Sequence, residues 1–193
     1  TSEGRSLGFE VLLQQKLYKG FYGILAYTFV YSQFTDKYNT YISSAWDNRN
    51  IISATFGKKF KKNWEVGAKW RFLGGAPYTP YNVGLSSIKT IWDVTGQGIP
   101  DYNLLNTKRL PSFHQLDVRV DKKYFFKKWM LDLYLDVQNA YNNKVTLPSY
   151  LSVVRDASGN PVVDPSNSNA YKTYYIENIS GTLLPTIGLM VEF

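Results

Sequence analysis

Cysteine is absent from the 193 residues, which excludes a disulfide framework, a zinc ribbon and a thiol nucleophile. Redox compartment stays open, because periplasmic and surface proteins also do without disulfides. Histidine occurs once, at His114. Long hydrophobic runs are missing too: the most apolar stretch, 20–31, falls short of the roughly 18 residues a spanning helix needs, and it contains Gly23 and Thr28. No helix is expected to cross a bilayer. The N-terminus, Thr1-Ser2-Glu3-Gly4-Arg5, carries no initiator Met and none of the basic start, apolar core and cleavage site of a signal peptide. The chain is therefore expected to begin within a longer polypeptide.

What is abundant is aromatic. Tyr, Phe and Trp make up 17% of the chain, which suits either a base-stacking surface or the interfacial belts of a membrane protein. The net charge of +7 is equally two-sided, fitting nucleic acid or an anionic membrane surface. Position separates the two. The lysines fall in short clusters, Lys58-Lys59 with Lys61-Lys62, Lys122-Lys123 and Lys127-Lys128, each beside a tight turn and flanked by aromatics, rather than along one basic stripe.

Period-two alternation dominates. In 64–72 every even position is apolar (Trp64, Val66, Ala68, Trp70, Phe72) while Glu65, Lys69 and Arg71 fall between, the pattern of a strand with two different faces. It returns in 115–120, 129–138 and 187–193, and more weakly in 7–17, 21–33 and 49–60. The reading is all-β: an antiparallel transmembrane β-barrel segment of about seven strands, each near the ten or so residues a tilted strand needs to cross a bilayer. Residues 1–193 are expected to form the C-terminal part of that barrel domain, a placement that the family resemblance given below implies. Tight turns at 18–20, 61–63 and 127–128 alternate with long links near 34–48, 75–112 and 140–173, as in membrane barrels.

Tyr18, Phe21, Tyr22, Phe60, Trp64, Phe125, Phe126 and Trp129 gather at the short turns and read as one interfacial girdle. Within the last long link, Val153-Val154 and Val162-Val163 flank Gly159-Asn160-Pro161, so a small hairpin is expected there. A soluble barrel or sandwich would share the alternation, with shorter strands and the apolar face turned inward.

Candidate chemistry is sparse. Asp132 and Asp136 share a face but lie about 13 Å apart along a strand, beyond the roughly 5–9.5 Å of glycosidase pairs. An ion pair between Arg119 and Asp136 across the 127–128 turn is the expected use of that face, together with Glu65, Lys69, Arg71, Asp117 and Asp121. His114 and Asp117 point to opposite faces, so neither a nucleophile triad nor a metal site is expected. Asp156, Ser158, Asn160 and Asp164 lack the spacing of a calcium loop and suit Asx turns. The sequon Asn178-Ile179-Ser180 is short enough to arise by chance. No catalytic, metal or cofactor residues are expected. Tyr78, Tyr81, Trp92 and Tyr102, on the longest link, are candidate substrate contacts, with packing of loop against loop as the alternative.

Gly74-Gly75-Ala76-Pro77-Tyr78-Thr79-Pro80, the segment 109–122 from Arg109-Leu110-Pro111 to Lys122, and Leu133-Tyr134-Leu135-Asp136-Val137-Gln138-Asn139-Ala140-Tyr141-Asn142 resemble the last strands of TonB-dependent outer-membrane receptors. The closing Leu184-Pro185-Thr186-Ile187-Gly188-Leu189-Met190-Val191-Glu192-Phe193 is similar to that family's final strand, whose terminal aromatic is part of an outer-membrane insertion signal. The resemblance covers 64–193 well and is weaker before; its flavour is that of Bacteroidetes receptors. It implies a bacterial outer membrane location and a barrel of about 22 strands closed by an N-terminal plug. It also implies import of a large or scarce nutrient (glycan, peptide or metal chelate). The partners it implies are upstream strands and plug of the same receptor, the TonB complex acting through the part missing here, the lipid bilayer and, in some members, a surface lipoprotein. A passive porin or structural barrel is the alternative, and a nucleic-acid-binding β-protein a weaker third. Counting seven strands back from a periplasmic C-terminus puts Thr1 on the outer side, where single-chain barrels of even strand number do not start.

Overall fold

The computed structural model describes residues 2–193; Thr1, expected on the outer side, lies outside them. The strands are β1 (Gly4–Tyr18), β2 (Phe21–Thr35), β3 (Tyr41–Ser43), β4 (Arg49–Lys59), β5 (Trp64–Leu73), β6 (Pro77–Tyr78), β7 (Lys108–Arg109), β8 (Phe113–Phe125), β9 (Met130–Gln138), β10 (Val145–Val153), β11 (Val163–Asp164), β12 (Asn167–Tyr171), β13 (Thr173–Ser180) and β14 (Leu184–Glu192). Two short helices, α1 (Val83–Ser87) and α2 (Lys89–Thr95), interrupt the longest link. The chain is all-β and antiparallel. It has fourteen strands among the described residues, not about seven.

The long expected strands make one open sheet in the order β1-β2-β4-β5-β8-β9-β14, with β3 beside β2. The extra strands are short and lie in the long links: β6 with β7, β10 with β13, and β11 with β12. Alternation over only a few residues, broken by Pro148 or by the turn at Pro165-Ser166, gives too weak a periodic signal to mark them from sequence.

Tight turns set the register. Tyr18 faces Phe21 across Lys19 and Gly20, both at positive φ (49° and 84°), the conformation whose twist matches a two-residue hairpin. A side chain at Gly20 would also meet the Lys59 carbonyl at 2.6 Å. The second turn holds Lys62 and Asn63 at positive φ (60° and 61°). In the third, the Phe126 N–H donates to the Trp129 carbonyl (2.9 Å) and the two rings stack at 4.0 Å. All three turns, with the end of β14, lie at one end of the sheet, and the three long links lie at the other.

Pairing carries the two-faced pattern across every strand. Ala68 faces Phe56 on one side and Val118 on the other, and Val118 faces Val137, so apolar side chains form one continuous face. Glu65 faces Lys59 and Asp121 on the opposite face. The apolar face is uncovered: Phe9 is 55%, Leu189 68% and Ile187 84% exposed. Of the described hydrophobics, only Ala54, Trp92, Leu151, Val153 and Ala170 are buried, and all but Ala54 belong to the long links.

At the short-turn end the apolar face closes in aromatics and lysines. The Lys58 ammonium sits over the Phe21 and Phe60 rings (4.1 and 5.0 Å), and that of Lys122 over Trp64 and Tyr124 (5.2 and 5.3 Å). Their stems lie on apolar surface while the charge reaches the rim. Tyr22 is not part of this girdle. It points to the polar face, where its hydroxyl donates to Glu65 (2.6 Å), because its place on β2 is one residue out of phase with Phe21. Phe125 likewise falls on the polar side, opposite Met130.

Candidate functional site

The long links between β5 and β8 and between β9 and β14, with the link before β4, bring residues distant in sequence together. The foundation is Asp47, fully buried in the link before β4. Asp47 accepts from the Ser43 hydroxyl (2.8 Å), the Ser32 backbone N–H (3.2 Å), Arg49 (3.0 Å) and Arg109 (2.5 Å). Burial pushes its carboxyl pKa up, but the hydrogen bonds and the two guanidinium groups outweigh this and hold it below the ordinary 3.8. Arg109 also donates to the Asp47 and Gly75 carbonyls (2.6 and 3.0 Å), tying β7 to the neighbouring link. Sequence reading gave Arg109 no role, since nothing local shows its partner 62 residues away.

Above that anchor, the segment 74–112 folds back on itself. The Asn82 side chain caps α1 by accepting from the Leu85 N–H (2.9 Å), the ordinary role of Asn at a helix start. Gly98 is packed between the Tyr81 ring and Leu151, either of which a Cβ there would meet within 3 Å. The result is a cleft of about 550 Å³ between the two links, in the range of small-molecule sites. Tyr78, Tyr81, Tyr102 and Tyr175 line it with Pro80, Pro100, Pro111 and Pro148, and its hydroxyls also come from Thr79, Thr146 and Ser149. The Tyr81 and Tyr175 rings meet at 6.4 Å. Burial, with the nearby Tyr78 and Tyr81 hydroxyls, pushes the Tyr175 phenol up. Among the described residues none of these four phenol hydroxyls has a protein hydrogen-bond partner. The only charged lining residue is Arg109, already engaged by Asp47.

Three of the four expected contact residues, Tyr78, Tyr81 and Tyr102, thus come together. Trp92 does not. It was expected as an exposed loop aromatic but is only 5% exposed, on the inner side of α2, which packs against β12, where Tyr171 donates to Asp93 (3.0 Å). Seven helical residues turn it inward, and an irregular loop reading cannot show that. Tyr175 was missed because nothing local in 173–180 shows its pairing back along β10.

The polar face of the main sheet is the second assembly. Glu65 accepts from Lys123 (3.0 Å) as well as Tyr22, Arg71 pairs with Asp117 (2.9 Å), and Arg119 pairs with Asp121 (2.7 Å). Arg119 does face Asp136 in the register, yet its expected ion pair goes elsewhere. The guanidinium lies 3.9 Å over the Tyr134 ring, which aims it along its own strand at Asp121. Asp132 is 2% exposed, opposite Lys123, and one of its carboxylate oxygens has no partner among the described residues.

The remaining candidates are local. His114 lies on the apolar face, away from Asp117, with its Nδ1 2.7 Å from the Tyr141 hydroxyl. Asp156 accepts from the Ser158 and Asn160 N–H groups (2.9 and 2.8 Å) and Asp164 from that of Ser166 (2.8 Å), which are Asx turns. Among the described residues no three His, Cys, Asp or Glu side chains cluster as metal ligands. Compared with protein-family models and with curated proteins, the chain matches nothing.

Proposed function

We propose that this chain is part of the wall of an outer-membrane β-barrel in a TonB-dependent importer. Its apolar face is set against lipid, its polar face toward the lumen and its long links outward. The observation that carries the reading is the two-faced sheet. Between the rim charges Lys58 and Lys122 and the opposite rim, the uncovered face carries no charged side chain, while ion pairs line the other. A soluble fold would bury such a face under a second layer, and a continuous exposed apolar surface marks contact with a partner or a membrane. From Trp64 to Phe72 the apolar stretch runs about 27 Å along the strand, which at a tilt near 40° approaches the roughly 25 Å apolar band of these barrels.

Import rather than passive flow is supported by the resemblance of 64–193 to TonB-dependent receptors and by the ordered links, which build a cleft instead of leaving open loops. In this reading the tyrosine cleft contacts the substrate and the TonB complex acts through a plug outside this chain. A passive porin is the second reading, drawing on the charged face around Lys69, Asp117, Arg119 and Asp136. The experiment is uptake by cells making the full gene product, with and without the TonB complex. The importer reading expects uptake to fall to background without it. Flux that persists undiminished means the porin.

A further inference from the structure

The cleft between the outer links is selective through what its lining lacks. Among the described residues that line it there is no carboxylate, side-chain amide or imidazole. Its one charge, the Arg109 guanidinium, is held by the Asp47 carboxylate and by the Asp47 and Gly75 carbonyls. Every other polar side-chain group is a hydroxyl, four from tyrosine and three from Thr79, Thr146 and Ser149. Of these, only Thr79 has a partner among the described residues, Asn106. The rest of the lining is pyrrolidine ring, tyrosine ring and leucine.

Two walls hold these groups. One carries Pro80 and Tyr81, tied to the far end of the same link by the Tyr81–Pro100 bridge and by the Asp101 N–H, which donates to the Pro80 carbonyl (2.8 Å). The other is the β10–β13 pair, whose register breaks between Leu147 and Tyr150, at Pro148 and Ser149. The Tyr81 and Tyr175 rings meet between the walls with their planes 40° apart, while the Tyr102 ring is 70% exposed.

A charged ligand would give up water without meeting a free counter-charge, which sets aside anionic chelates and acidic or basic peptides. A neutral sugar has apolar ring faces, but each of its hydroxyls is a donor as well as an acceptor. A buried donor needs an acceptor, and the lining side chains supply no carboxylate or amide oxygen. A proline-rich segment has the matching inventory. Proline has no N–H, so its backbone presents carbonyl acceptors alone. In the polyproline II conformation those carbonyls make no bonds within the chain, and the segment is ordered before it binds. Grooves lined by aromatic rings recognise such segments for these reasons.

We infer that the cleft binds an uncharged, proline-rich peptide segment in the polyproline II conformation, its pyrrolidine rings against the tyrosine faces and its backbone carbonyls accepting from the phenol hydroxyls. This rests on the reading of the cleft as the importer's substrate contact and narrows that substrate to one class.

The test is isothermal titration of the full gene product in detergent with decaproline, acetylated and amidated at its ends. A Gly-Ser peptide of the same length and ends and a neutral glucose oligosaccharide are titrated beside it. Decaproline should bind saturably and at least about tenfold more tightly than either. Tyr175→Phe, which removes only a hydroxyl, should weaken decaproline about three- to tenfold. Tyr102→Ala should weaken it about tenfold or more, with the protease resistance of the links unchanged in both variants. If either variant loosens the links, the order of affinity among the three probes still decides. Absent decaproline binding, equal or tighter binding of the Gly-Ser peptide or the oligosaccharide, or decaproline affinity that either variant leaves unchanged overturns the inference. Binding is read on purified protein, so it separates from uptake. Decaproline bound in the cleft with uptake independent of the TonB complex leaves the ligand standing and removes the importer; TonB-dependent uptake without decaproline binding removes this inference alone.

Discussion

Ala68→Arg against Gly67→Arg puts the same charge on adjacent residues of β5 that face opposite sides. Ala68 is four residues from both Trp64 and Phe72, about 13 Å along the strand from each. At barrel tilt that is about 10 Å of depth, near the middle of the apolar band. An Arg there should cost about 2–4 kcal/mol, which is about 30- to 700-fold in the folded-to-unfolded ratio. At Gly67 an added Cβ meets only the Phe56 carbonyl, at 3.9 Å, and the side chain would enter the recess shared with Asp117 and Asp136. Arg119 stands directly opposite Gly67, so like-charge repulsion adds to the cost there, which should stay within about 1 kcal/mol. Trp64→Arg, at the rim, should lose only about 1 kcal/mol of membrane penalty. The assay is equilibrium urea unfolding of the full-length barrel in lipid vesicles. Equal costs at 67 and 68, or the larger cost at 67, would refute the assignment of faces, and equal costs at 64 and 68 would refute the membrane as the reason for it.

Gly57→Ala should drive the Tyr22 ring off β4 and break its bond to Glu65, costing about 2–3 kcal/mol against about 1.5 for Tyr22→Phe, since a hydrogen bond to a charged group is lost in both and a clash is added in one; the same unfolding assay reads it. The Asp47 carboxyl has a folded pKa below its unfolded value, so the stability it adds is present above its ordinary 3.8 and is lost as pH falls through the lower folded value. Limited proteolysis of the link 36–48 should accelerate in that acid range, and Asp47→Asn should reproduce the acceleration at neutral pH. Trp92→Ala should destabilise the outer links by about 3–5 kcal/mol through a cavity, seen as protease sensitivity. Tyr102→Ala, at a ring 70% exposed, should instead leave the links folded and, on the importer reading, weaken substrate binding by about tenfold or more, as loss of an exposed aromatic contact does.

The main sheet was legible because its strands are long and two-faced. In 64–72 and 131–137 every second residue is apolar, and a slip of one residue would turn all of them to the other side, so period and register are fixed together. Two of the three tight turns were legible for a local reason, the Lys19-Gly20 and Lys62-Asn63 pairs that accept positive φ. What failed depended on distance. The girdle reading grouped Tyr22 with Phe21 by proximity in sequence, although adjacent strand residues face opposite ways. Arg119 was matched to Asp136 by register alone, and the Tyr134 ring, two strand positions away, decided otherwise. In the links, Tyr78, Tyr81 and Tyr102 could be proposed from composition, but Tyr175 and Arg109 reach the cleft only through pairings across tens of residues.

The claim that the even-numbered residues of β5 face lipid is tested most directly by spin labels placed singly at 64–72 in the full-length protein reconstituted in vesicles; residues 1–193 hold no cysteine, and any cysteine outside them is first replaced. Accessibility to oxygen, which concentrates in lipid, and to a water-soluble nickel chelate should alternate with a period of two. Positions 66, 68 and 70 should favour oxygen, most strongly at 68, and positions 65, 67, 69 and 71 should favour the chelate. Oxygen preference at the odd positions, or no alternation, would contradict the account.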